Sequence, residues 1–313
     1  MTTLNQAVNT FLQYCRYEKN LSEKTIYFYR IDLLQFYAFI ETQKYPVNVE
    51  QISKTELKHY IREISSWKVR TVKRKVATLK AMFNYLEDED LILVNPVRRL
   101  KMSLKQPVIL PKALTKIEAA SIFDVAYRLV SKAPRTSYTY FESIRNIAVL
   151  ELLFSSGARV SEIANLKRTD LNLKSGALLL KGKGNKERVV QVCNADALAL
   201  LETYVSLFDE RIKVSGGYLL VNRLNNKLSD QSIRNMIDGI AKVAKVDKKV
   251  TPHVFRHTFA TLLLENDVDI KYIQSLLGHS SIITTQIYTQ VNSEKQKQIL
   301  RDKHPRMDFS MAI

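Results

Sequence analysis

A mainly helical chain of two domains is predicted: an N-terminal four-helix bundle, then a C-terminal α+β domain with a small three-stranded antiparallel sheet. Three observations predict it. Through the first hundred residues, apolar side chains recur every three or four positions and no strand signal appears. The stretch VRRLKMSLKQPVILPKALTKIE, with Pro107 and Pro111, then has no clear period. Beyond it helical spacing returns, interrupted between about Thr169 and Val192 by short β-favouring runs.

Leu4, Val8, Phe11, Leu12 and Cys15 mark the first helix, and Ser22 caps a second that runs through Ile40. A third helix covers about Lys54 to Ile64. A fourth covers about Val69 to Leu86, where Val72, Val76, Leu79, Phe83 and Leu86 step along one face. On that fourth helix Lys68, Arg70, Lys73, Arg74, Lys75 and Lys80 have no acidic residue among them. An unbalanced basic face of this kind would lie well along phosphates, so these residues are expected to contact DNA. The acidic patch EDED and Asn95-Pro96 end the helix. The first domain is therefore assigned to residues 1–106 and the linker to 107–114. The second domain, 115–313, opens at the capping-box pair Thr115 and Glu118.

In the second domain DLNL, ALLLKG and ERVVQV, separated by Lys174-Ser175-Gly176 and Lys183-Gly184-Asn185, read as an antiparallel meander whose second turn holds Lys183. Further on, Ser229 or Asp230 caps a helix whose early residues include Gln231 and Arg234, side-chain types able to read base edges in a major groove.

Composition narrows the partner. Lys and Arg number 48 against 31 Asp and Glu, a formal charge of +17, which favours nucleic acid or an anionic membrane surface. No stretch approaches the ~18 apolar residues of a membrane span, and MTTLNQAVNTFLQYCRYEKN lacks the layout of a signal peptide. Cys15 and Cys193 stand outside any metal-ligand spacing and make no disulfide framework. A cytoplasmic DNA-binding protein without a membrane partner is expected.

The chemistry concentrates in HVFRHTFATLLLENDVDIKYIQSLLGHSSIITTQIYTQ. It gathers His253, Arg256, His279 and Tyr288, a cation and two imidazoles beside a tyrosine. Such a set suits attack of a phenol oxygen on a phosphodiester whose oxyanion is stabilised. The chain has no GxxxxGK[ST] loop, HExxH, EF-hand loop or obvious acidic metal cluster, so no metal and no cofactor is expected and the positive charge must come from side chains. Arginine suits this role, because its planar fork holds two phosphate oxygens. Arg256 shares a helical face with His253, and Arg159 in FSSGARVSEIANL sits near a helix N-terminus, where the peptide dipole also attracts anions.

GARVSEIANL, KGKGNKERVV, HVFRHTFATLLL and LLGHSSIITTQIYTQV, in this order, resemble the tyrosine recombinases, and most closely the bacterial Xer type. The resemblance runs almost end to end. It implies a core-binding first domain and a catalytic domain from about residue 108. It makes Tyr288 the nucleophile, Arg159 and Arg256 the phosphate clamp, and Lys183 the donor of a proton to the departing 5′ oxygen. The product would be a 3′-phosphotyrosyl link. His253 then accepts the phenol proton, His279 bonds a phosphate oxygen, and Glu162 orients the clamp.

The resemblance further implies double-stranded DNA with two recombination sites, a homo-tetramer or a hetero-tetramer with a second recombinase, and a tail after Tyr288 that docks on a neighbouring subunit. In some Xer relatives a septal DNA translocase is the activating partner. The role so implied is resolution of chromosome or plasmid dimers. Rival readings are an integrase or transposase of a mobile element, a type IB topoisomerase-like nicking enzyme, and a non-catalytic DNA-binding protein of the same fold. Two departures stand out: the segment from Tyr127 to Ser143 is longer than the usual Xer connection, and Ala158 replaces a larger apolar residue.

Overall fold

The computed structural model describes residues 2–98, 100, 113–182 and 187–278. The chain divides into two compact units, Met1–Val108 and Ile109–Ile313.

Among the described residues, four α-helices build the first unit: α1 (Leu4–Tyr17), α2 (Glu23–Thr42), α3 (Lys54–Glu63) and α4 (Val69–Asp88). Their starts are written in local chemistry. Thr3 with Gln6 and Ser53 with Glu56 form reciprocal capping boxes, and the Ser22 hydroxyl accepts from the Thr25 amide. The apolar faces meet in one core that includes Phe11, Leu33, Phe36, Leu57, Met82 and Phe83. Phe36 meets Tyr60 edge-on, with ring centroids 5.0 Å apart.

The polar side of α4 is not uniformly exposed, which corrects the expectation for Lys75. Lys75 is buried at 1% exposure and its ammonium lies 3.0 Å from the Asp32 carboxylate on α2. It also donates to Gln35 Oε1 and sits 4.9 Å from the Trp67 ring centroid. Asp32, itself 1% exposed, accepts further bonds from Arg74 and, at 3.1 Å, from the Thr78 hydroxyl. Burying a carboxylate without partners is costly, so a cation must follow it inside. Lys75 is that cation. Lys68, Arg70, Lys73 and Lys80 are exposed, and Arg74 is half-buried.

The second unit opens with α5 (Lys116–Lys132), started by the Thr115–Glu118 capping box, and α6 (Tyr138–Ser156), capped by Ser137. The long Tyr127–Ser143 segment is thus largely the ends of two helices, with only residues 133–137 between them. A short helix α7 (Val160–Ala164) leads to the sheet of β1 (Leu171–Asn172), β2 (Ala177–Lys181) and β3 (Glu187–Gln191). The strands are antiparallel in the order β1-β2-β3, with Leu178 opposite Val190 and Lys181 opposite Glu187. Leu178, Leu180 and Val190 point to the core, as period-two alternation requires.

Helices α8 (Ala195–Val214), α9 (Asp230–Val243), α10 (Pro252–Glu265) and α11 (Ile270–Leu277) complete the described part. Ser229 caps α9, and α10 starts with Thr251 as its cap and Pro252 in its first turn. Helix α11 packs on α10 through Ala260, Ile273 and Leu277. Among the described residues no helix is long and apolar enough to cross a membrane. Lys183, His279, Tyr288, linker residues 107–112 and the tail after Tyr288 lie outside the described residues.

Candidate active site

Helix α6 ends at Gly157, whose backbone is left-handed with φ of 58°. A side chain there would meet Phe259 Cδ1 at 2.5 Å, so both the turn and the close approach of α10 call for glycine. The turn releases the Gly157 carbonyl toward Arg256, and two residues later Arg159 caps α7.

Arg256 is 3% exposed on α10. Its Nη1 donates to the Gly157 carbonyl at 2.8 Å and its Nη2 to the Leu277 carbonyl at 2.7 Å, which fixes the plane of the guanidinium between two turns. Arg159 keeps 43% of its side chain exposed, donates Nη1 to Glu162 Oε1 at 2.8 Å, and reaches the Gly278 carbonyl with Nη2 at 3.4 Å. Both arginines therefore end on consecutive carbonyls, Leu277 and Gly278, at the close of α11. The next residue in sequence is His279. His253 lies exposed in the first turn of α10, three residues before the buried Arg256.

Glu162, 4% exposed, is the acidic centre of this cluster. Its Oε2 accepts from the Arg159 amide at 2.8 Å. Arg188 on β3 forks onto the same carboxylate, Nη1 to Oε1 at 3.0 Å and Nη2 to Oε2 at 2.8 Å. Burial alone would push the carboxyl up. The bonds and charge from Arg188, with those from the Arg159 amide and guanidinium, outweigh burial and bring it from 4.5 down to about 2. The cluster thus stays cationic, with a carboxylate that is ionised at neutral pH holding two guanidiniums in place.

Arg188 was invisible to motif spacing. One signal was available, because it shares the inward side of β3 with buried Val190 at period two. A charge at such a position needs a buried partner. Lys181, two residues before Lys183 in sequence, is committed elsewhere, with its ammonium 2.8 Å from Asp170 Oδ1.

Of the residues expected to touch DNA, Gln231 is exposed on the first turn of α9 and bonds Asn235, while Arg234 lies 3.8 Å from Asp230. On α4 the exposed Arg70, Lys73 and Lys80 form one stripe at helical spacing. Among the described residues no group of three His, Cys, Asp or Glu side chains is arranged to hold a metal ion.

Comparison with known proteins agrees across both units. Residues 123–295 match the model of the phage integrase family, and residues 8–90 match that of the phage integrase N-terminal SAM-like domain. A tyrosine recombinase of Agathobacter rectalis is 44% identical over 310 residues, covering 99% of each chain. The tyrosine recombinase XerC of Thermodesulfovibrio yellowstonii is 35% identical and covers 97% of this chain and 98% of its own. A crystal structure of the XerH site-specific recombinase bound to palindromic difH substrate shares the fold, with a TM-score of 0.74, 21% identity and coverage of 96% of this chain and 95% of that one.

Proposed function

The chain belongs to the phage integrase family of tyrosine recombinases, and from that premise we propose that it is a site-specific recombinase with a Xer-like role, resolving dimers of chromosomes or plasmids. One observation carries the chemistry. Arg159 and Arg256, distant in sequence, donate to consecutive carbonyls, Gly278 and Leu277, at the end of α11, and His279 is the next residue in sequence.

In this reading the two guanidiniums receive the non-bridging oxygens of the scissile phosphate and stabilise the charge that builds on them in the transition state. The neighbouring positive charge also favours the anion of a phenol whose ordinary pKa is about 10. The Tyr288 oxygen attacks phosphorus, and its proton passes to His253. The bond from phosphorus to the 5′ oxygen breaks, and Lys183 gives that oxygen a proton. One phosphodiester is thereby exchanged for a 3′-phosphotyrosyl ester and a 5′ hydroxyl, with no energy source consumed, and attack by a 5′ hydroxyl from another strand reverses the step. His279 donates to a phosphate oxygen. The tie of Lys181 to Asp170 favours Lys183 over Lys181 as the lysine that serves the leaving group.

The duplex would be held by the basic stripe of α4 in the first unit and by α9 in the second, consistent with the formal charge of +17. Exchange between two sites needs four active sites, so the working assembly is a tetramer on DNA, with this chain alone or with a second recombinase. The XerC and XerD names among the relatives support dimer resolution over a mobile-element role.

The test is a nicked duplex carrying candidate core sites, incubated with protein and run on a denaturing gel. Wild type forms a covalent protein–DNA adduct and Tyr288→Phe forms none. An adduct that survives in Tyr288→Phe removes the proposed nucleophile.

A further inference from the structure

We propose that Arg188 is a positioning residue for strand cleavage, tying Glu162 of α7 to the C-terminal end of α11 so that the two clamp arginines and the Gly278 backbone keep one geometry. The inference rests on the recombinase reading above.

Three guanidiniums collar the end of α11, one on each of three consecutive carbonyls. Arg188 Nε donates to Leu276 at 2.8 Å, Arg256 Nη2 to Leu277 at 2.7 Å, and Arg159 Nη2 to Gly278 at 3.4 Å. The last carbonyls of a helix lack partners within it and carry the negative end of the peptide dipole, so three cations there are individually favourable. The three differ in what else they can do. Arg159 is exposed and its carbonyl bond is long, which suits a group that exchanges protein for phosphate. Arg188 is 13% exposed, and its Nε, Nη1 and Nη2 are all committed, one to α11 and two to Glu162.

Arg188 therefore acts through its neighbours. Glu162 in turn holds the Arg159 guanidinium and amide, so one residue of β3 connects the first clamp arginine to the backbone that precedes His279. The contact is close enough to constrain the turn. Gly278 has φ of 63°, and a side chain on it would lie 3.1 Å from Arg188 Nη1. Lysine cannot replace this arrangement, because a single ammonium nitrogen cannot fork onto a carboxylate and also reach a carbonyl from a separate nitrogen.

Two variants separate positioning from simple charge compensation. Arg188→Lys keeps a cation beside Glu162. The double variant Glu162→Gln/Arg188→Met removes both buried charges together, so it leaves neither unpaired. The substrate is a nicked duplex carrying a core site selected from random-sequence duplexes for adduct formation by wild type. Thermal melting, equilibrium binding to the duplex and single-turnover cleavage are measured on the full chain.

The expected result is that both variants fold, bind the duplex within about threefold of wild type, and cleave it roughly 10- to 100-fold more slowly, the penalty of a misplaced but intact clamp. Cleavage at the wild-type rate in either variant overturns the proposal. So does a loss of folding in both, or a loss of binding equal to the loss of cleavage, since each makes Arg188 a structural or DNA-holding residue. A wild-type protein that forms no adduct on any selected duplex instead overturns the recombinase reading, and the Arg188 inference falls with it.

Discussion

Glu162 shows at the scale of one residue how this unit keeps a carboxylate ionised at 4% exposure. Burial opposes the charge, and the bonds and charges of Arg188 and Arg159 override it, so the folded carboxyl titrates at about 2 instead of 4.5. A depressed folded value stabilises the protein fully above the unfolded pKa, and that stabilisation is lost as pH falls through the range from 4.5 toward 2. The shift corresponds to roughly 3 kcal/mol at neutral pH. Denaturant unfolding followed from pH 6 to pH 2.5 will show wild type losing more stability than Glu162→Gln, by a difference approaching that amount. Parallel pH dependences in the two proteins would mean that Glu162 is not held ionised by its arginines. Motif spacing could suggest Glu162 as a partner of Arg159, because the two lie three residues apart at a helix start. It could not suggest Arg188, whose bond to Glu162 spans 26 positions and forms only when β3 folds back beside α7.

Helix α4 separates at the scale of an element what its basic run presents together. Arg70, Lys73 and Lys80 face outward, whereas Lys75 turns inward to Asp32 across 43 positions of sequence. Replacing each class should have opposite consequences. Lys73→Ala is expected to leave stability unchanged, weaken duplex binding, and reduce the slope of log affinity against log salt by about 1. Lys75→Ala is expected to leave that salt slope unchanged and lower stability by about 3 kcal/mol or more, because Asp32 loses its buried cation. Fluorescence anisotropy across a salt series and urea unfolding read the two effects. An equal change of slope in both variants would place Lys75 on the DNA face. Hydrophobic period and capping residues made the four helices of this unit legible, because those signals are local. The direction of one lysine was not, since Lys75 lies on the helix flank between core and solvent and a partner on α2 decides it.

At the scale of the whole molecule, the two-part organisation and the three-stranded meander were legible for the same reason: a proline-rich basic break and a switch of period from helical to alternating are readable in short windows. The described part of the proposed site is assembled from α7, β3, α10 and the end of α11, and its separate motifs could be found in the sequence while their convergence could not. What the fold adds is the meeting of Arg159 and Arg256 on Leu277 and Gly278. Basic charge in both units and a cationic centre at the end of α11 form one account, in which a duplex is held while a phenol is made to attack it. The most direct measurement traps the protein–DNA adduct on a nicked duplex, digests both components and identifies by mass spectrometry the amino acid that carries the nucleotide. The account predicts a single modified peptide, linked through Tyr288 to a 3′ phosphate. A 5′ linkage, or a nucleotide on any residue other than Tyr288, would contradict it.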